Sequence, residues 1–156
     1  MPGKIEKRLS DLHIVLPTPS RPLASYVPFV IVHDLVFVSG QLPMIDGKLP
    51  EPWTGKVGGR VSTQQAPLAC RQCFINMLAH VKTAIQDLDR VVQVVRLGGF
   101  IAAAPEFVSH HLAMEGASEL AAEIFGEAGR HVRTTVGVPS LPFDSAVEVE
   151  GIFRFA

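Results

Sequence analysis

The sequence predicts an α+β fold in which one sheet carries two helices on a single face. Three observations lead there. Two long stretches have helical apolar spacing, several short runs are β-branched or alternate, and turn residues separate them in the order strand, strand, helix, strand, helix, strand, strand. A chain of 156 residues suits one domain, so residues 1–156 are expected to share one core. Apolar residues make up 47% of the chain and charged residues 19%, a composition that excludes disorder.

The elements follow in order. A short amphipathic start runs from about Ile5 to Ile14, and Pro17, Pro19 and Pro22 rule out regular structure after it. Tyr26 to Val32 and Leu35 to Ser39 read as strands. Pro28 puts the first at a sheet edge or a bulge, and His33-Asp34 reads as a tight hairpin connection. Pro43 to Arg60, with Gly47, Pro50, Pro52, Gly55, Gly58 and Gly59, reads as a long loop of the kind that is often functional or mobile. From Ser62 to Leu88, Cys70, Cys73, Phe74, Met77, Val81, Ala84 and Leu88 recur as a helical stripe. Arg90 to Ala104 is a valine-rich strand that ends before Pro105. A second helix spans about Glu106 to Phe125, with Ala117, Leu120, Ala121, Ile124 and Phe125 as its later stripe, and stops at Gly126. Val132 to Val138 and Ser145 to Phe155 are strands separated by Pro139-Ser140-Leu141-Pro142.

Charge and composition narrow the function. With 14 Lys+Arg against 15 Asp+Glu, the net charge is −1, and Trp53 and Tyr26 are the single residues of their types. A nucleic-acid partner is therefore not expected, since it calls for a basic surface and stacking aromatics. Two cysteines cannot build a disulfide framework. No apolar run approaches the roughly 18–20 residues of a membrane span. Lys4, Glu6, Lys7, Arg8 and Asp11 leave no room for the apolar region of a signal peptide between Met1 and Leu12, so the expected location is the cytoplasm.

The chemistry-bearing residues concentrate in the last quarter. Alternation puts Arg133, Thr135 and Gly137 on one face of their strand, and Glu148, Glu150 and Arg154 on one face of the last strand. If these strands pair as a hairpin with Val138 opposite Ser145, Thr135 faces Glu148 and Arg133 faces Glu150. Such a polar face meets either water, as ordinary cross-strand ion pairs, or another subunit. Elsewhere the signals are weaker. Cys70-Arg71-Gln72-Cys73 lies inside a helical pattern without a second ligand pair, which makes both cysteines core residues. His111 and Glu115 share a helix face, with no third ligand evident. Gly55, Gly58 and Gly59 do not form a phosphate-binding fingerprint, and Ser39, in Val-Ser-Gly-Gln, is not on a nucleophile elbow. Neither a metal nor a cofactor is called for.

Several segments together resemble the Rid family, the reactive intermediate deaminases, also called the YjgF or L-PSP endoribonuclease family. They are Val36-Phe37-Val38-Ser39-Gly40-Gln41-Leu42-Pro43, the long helix with Gln65 and Asn76 followed by Asp89-Arg90-Val91-Val92, and above all Arg133-Thr134-Thr135-Val136-Gly137-Val138-Pro139-Ser140-Leu141-Pro142 with Val147-Glu148-Val149-Glu150. The resemblance covers about Leu23 to Phe155. The loop at Pro43–Arg60 and the run Glu115-Gly116-Ala117-Ser118 resemble a branch with a longer chain.

The resemblance implies a chorismate-mutase-like α+β fold assembled as a homotrimer, with sheets lining a central barrel and sites in the clefts between subunits. It implies metal-free hydrolysis of reactive 2-imino or 2-enamino acids to 2-keto acids and ammonia, without a cofactor. By motif, Arg133 would bind the substrate carboxylate, Glu148 would hold the hydrolytic water, the backbone around Thr135 would contact substrate, Tyr26 would flank the pocket, and Ser39 and Gly40 would lie near it. The chain departs from the family pattern at Ala24-Ser25-Tyr26, where the family has Gly-Pro-Tyr, and at Thr135, where founding members often have cysteine. Glu115 replaces an asparagine, and its charge beside an incoming carboxylate favours a second reading, a trimer that binds a small carboxylate metabolite without turnover. A third reading, an endoribonuclease or translation inhibitor, fits the near-neutral charge poorly.

Overall fold

The stripe that predicts the long helix packs as the spacing requires. The computed structural model describes residues 2–22 and 24–156. Met1, and Leu23, where the resemblance begins, lie outside the described residues. Helix α2 (Gln65–Ile85) buries Cys70, Cys73, Phe74, Met77 and Val81 completely. It begins three residues later than the stripe suggests because Ser62 closes a turn, its carbonyl and Oγ both accepting from Gln65 N. Helix α3 (His110–Phe125) also starts late, because the chain after Pro105 makes a turn in which Phe107 N donates to Ala104 O at 3.0 Å.

Five strands form one mixed sheet: β1 (Phe29–Val32), β2 (Leu35–Gln41), β3 (Val91–Ala102), β4 (Val132–Val138) and β5 (Val147–Phe155), in the order β1-β2-β5-β3-β4. As expected, an edge strand is joined to β2 by His33-Asp34, with His33 at φ 54°. However, β1 begins at Phe29 rather than Tyr26, and Pro28 lies in a bend just before it, where its missing N–H costs no ladder bond. The expected hairpin of the last two strands does not form. The segment through α3 returns β4 parallel to β3, as a helical crossover does, and β5 enters antiparallel between β2 and β3. Burial explains the order. Val147, Val149 and Phe153 are fully buried, which suits β5 to the middle, whereas Val132, Thr134 and Val136 leave β4 exposed enough for an edge.

Two further segments complete the layer. Helix α1 (Lys4–Asp11) buries Ile5 and Leu9 and is capped from a distance, the Asp89 carboxylate accepting from Lys4 N and Ile5 N at 2.7 Å each. The long loop is tied down. Trp53 Nε1 donates to Gln65 Oε1 at 3.0 Å, Val57 N donates to Ala102 O at 2.8 Å, and Val57 and Val61 are fully buried.

The helices pack on one face of the sheet, against Val36, Val38, Val94, Leu97, Ile101, Val147, Val149 and Phe153. The other face carries Val30, Phe37, Ile152, Arg96 and Val132 in one cross-strand row, then Glu150, Gly98 and Thr134, then Glu148, Phe100 and Val136. Val30, Phe37, Val132 and Val136 on that face are exposed in the single chain.

Helices α2 and α3 approach so closely that a Cβ at Gly116 would overlap the carbonyl of Pro67, a backbone group that cannot swing aside. Gly116→Ala is expected to cost about 3 kcal/mol through overpacking, lowering the thermal midpoint by roughly 5–10 °C in a calorimetric melt.

Candidate functional site

Arg133 projects from the edge strand β4 on the helix-facing side, where its strand partner is the buried Leu97. Its guanidinium therefore meets α3, on which Glu115 and Ser118 are neighbours one turn apart. Arg133 Nη1 donates to Glu115 Oε1 at 2.7 Å and to Ser118 Oγ at 3.1 Å, and Nη2 donates to the His111 carbonyl at 3.3 Å. Ser118 Oγ also lies 2.9 Å from His131 Nε2, and His131 Nδ1 lies 2.7 Å from the Gly129 carbonyl. The Arg133 side chain is 22% exposed and that of Glu115 45%, so one flank of the guanidinium reaches the surface. Among the described residues three of its five N–H groups are engaged, which leaves donors for a further acceptor. Two residues on and on the same face, Thr135 Oγ1 is buried with no hydrogen-bond partner among the described residues.

Glu148 belongs to the opposite, open face, in the row of Phe100 and Val136. Burial pushes its carboxyl above the usual range, and the neighbouring charge of Glu150 pushes it further. Its carboxylate lies over Gly40, where a Cβ would overlap Glu148 Oε1. Gly40 sits in the irregular stretch of β2 between Val38 and Gln41. Ser39 helps hold that stretch, with Ser39 Oγ donating to Pro28 O at 3.0 Å and Gln41 Nε2 donating to Ser39 O at 3.1 Å.

The structure thus brings Ser39, Gly40 and Glu148 together, and Arg133 and Thr135 together, but puts the two groups on opposite faces of the sheet. The expected opposition of Arg133 to Glu150 and of Thr135 to Glu148 is replaced: β3 intervenes, Glu150 Oε1 accepts from Arg96 Nη1 at 3.0 Å, and Thr135 sits beside Gly99. Tyr26, half exposed in a bend before β1, approaches the sheet at the edge remote from β4.

The sequence pattern did not single out His131 as a site residue, although it lies two residues before Arg133, the spacing that shares a strand face. Both thiols of the Cys70-Cys73 pair are fully buried, and burial pushes them far above the ordinary range, so they behave as core residues. Of the His111–Glu115 pair, Glu115 is committed to Arg133. Among the described residues no group of three or more His, Cys, Asp or Glu side chains is placed to hold a metal ion.

A five-stranded mixed sheet with helices on one face and β4 returned parallel at its edge defines the chorismate-mutase-like class of α+β proteins. Residues 6–154 match the family model "YjgF/chorismate_mutase-like, putative endoribonuclease", and the chain belongs to that family. It is similar to the protein Atu1372, of unknown function, from Agrobacterium tumefaciens, at 45% identity and a TM-score of 0.91, covering 98% of this chain and 93% of that one. A "putative endoribonuclease" structure from Shewanella oneidensis is 34% identical with a TM-score of 0.94, covering 98% of this chain and all of that one. Protein TCP17 from Trypanosoma cruzi is 37% identical over 151 residues, which is 96% of this chain and 93% of the relative.

The raised carboxyl of Glu148 has a testable sign. A folded-state value above the unfolded one stabilises the protein at low pH, and that contribution is lost as pH rises through the folded value. Glu148→Gln should therefore melt higher than the parent at pH 7–8, with the gain fading as the pH falls below the unfolded glutamate value of about 4.3, where the parent carboxyl becomes protonated in both states. Melts across that range check this.

Proposed function

We propose that the chain is a metal-free deaminase that hydrolyses reactive 2-imino or 2-enamino acids to 2-keto acids and ammonia, in the cytoplasm and as a homotrimer. The observation that carries this reading is the Arg133 guanidinium, held at a sheet edge by α3 with donors to spare. A planar, permanently charged fork suits a substrate carboxylate, which it can grip at two points. Glu148 supplies the second element. A carboxyl shifted upward by burial is suited to take a proton from a water attacking the imine carbon and to return one to the departing nitrogen. The water oxygen forms the new C–O bond, the C–N bond breaks, and ammonia leaves. Ser39 and Gly40 would border the water site, the Thr135 backbone would contact substrate, and Tyr26 would close the pocket.

Because Arg133 and Glu148 lie on opposite faces of one sheet, and Tyr26 at its far edge, the reading places the complete site between copies of the chain. The exposed Val30, Phe37, Val132 and Val136 on the open face support such an assembly. No helix among the described residues is long and apolar enough to cross a membrane. A second reading, binding of a small carboxylate without turnover, draws on Glu115, whose carboxylate is 2.7 Å from the guanidinium and would repel an incoming anion.

Two measurements test the first reading. Light scattering on a sizing column should return about three times the chain mass of 16.9 kDa. In a coupled assay, an oxidase acting on several amino acids generates imines, and the protein should speed their disappearance. Arg133→Ala should lower kcat/KM by about 30- to 5,000-fold, the range for removing one partner of a desolvated charge pair, and Arg133→Lys should recover part of it. Stoichiometric binding without faster imine loss would favour the second reading.

A further inference from the structure

The hydrogen bonds behind Arg133 can run in one direction only if each partner is used once. A guanidinium has donors and no acceptor, so Ser118 Oγ accepts from Arg133 Nη1 at 3.1 Å. The Gly129 carbonyl can only accept, so His131 Nδ1, 2.7 Å away, carries a hydrogen. With Nδ1 carrying the ring hydrogen, Nε2 is the ring's acceptor, and Ser118 Oγ, 2.9 Å away, is placed to donate to it.

We propose that Ser118 and His131 are positioning residues for Arg133: His131, held through Nδ1 by the Gly129 carbonyl, orders the Ser118 hydroxyl through Nε2 so that its oxygen faces the guanidinium. The inference rests on Arg133 being the carboxylate anchor. It assigns a role to a hydroxyl and an imidazole that touch neither Glu148 nor Gly40 in the hydrogen-bond network. Ser118 contributes an oxygen without charge, so it aligns the guanidinium without competing for it as Glu115 does. His131 in turn is aimed by the Gly129 carbonyl, at the end of the short turn between α3 and β4. The sequence of contacts links the α3–β4 connection to the ligand-facing side chain.

Two near-isosteric replacements separate this role from simple bracing of that turn. His131→Gln keeps an acceptor at the position of Nε2 for Ser118, whereas His131→Asn keeps a donor at the position of Nδ1 for Gly129. Pyruvate binding by calorimetry and imine turnover are the readouts, with folding checked by thermal melts. Ser118→Ala and His131→Asn should each weaken pyruvate binding about tenfold, as loss of a hydrogen bond to a charged group does, and raise KM more than they lower kcat. His131→Gln should restore most of the affinity. Nitrogen-15 spectra of the native protein should show His131 protonated on Nδ1 and bare on Nε2. Retention of binding by His131→Asn with loss in His131→Gln would overturn the proposal in favour of bracing, as would a protonated Nε2. An Arg133→Ala variant that binds pyruvate normally would overturn the anchor reading and this proposal together, whereas a defective Arg133→Ala beside an intact Ser118→Ala would overturn this proposal alone.

Discussion

Strand β3 is the constraint on which the rest of the structure depends. It pairs with β5 on one side and β4 on the other, and its own buried residues Val94, Leu97 and Ile101 form the floor under α2 and α3. Twelve residues of uninterrupted strand offer backbone donors and acceptors on both edges, and a buried strand cannot leave them unpaired. With the valine-rich β3 inside the sheet, α3 returns the chain parallel along one of its edges as β4, and β5 pairs with its other edge. The Arg133 side chain then has one place to go, the seam between β4 and α3.

That seam and the open face divide the electrostatics. On the helix side, Arg133 is compensated by Glu115, so a cation can stand partly desolvated without a ligand. The pair is too exposed to count for much as a stabilising salt bridge. On the open side, Glu148 lies beside Glu150, whose charge is met by Arg96. Burial first, and the charge of Glu150 second, push the Glu148 carboxyl above the usual carboxylate range. One sheet thus presents a paired cation on one face and a partly buried carboxyl on the other.

Much of the fold was legible because it is local. The stripe through Cys70, Phe74, Met77 and Val81, the edge position of the first strand and the turn at His33-Asp34 each depend on a few neighbouring residues and appear as their patterns indicate, although the strand starts after Pro28 rather than at Tyr26. The boundaries of α2 and α3 moved because turns around Ser62 and Phe107 use hydrogen bonds that periodicity does not encode. The loop at Pro43–Arg60 illustrates the same limit. Its glycines and prolines say that it is irregular, but not that Val57 fills the core or that Trp53 is tied to Gln65.

The sequence by itself determined the α+β class, the core faces of the helices and the family, and it singled out the residues proposed to form the site, because periodicity and short motifs are properties of adjacent positions. Only the tertiary structure decided that β3 separates β4 from β5, and with that which side chains meet. Alternation within a strand says which residues share a face, but strand pairing decides what that face touches. Arg133 and Glu148 looked like neighbours across a hairpin and lie instead on opposite faces. Glu115, Ser118 and His131 gather around Arg133 because a helix crossover lays α3 along β4, a relation between segments that no local pattern contains.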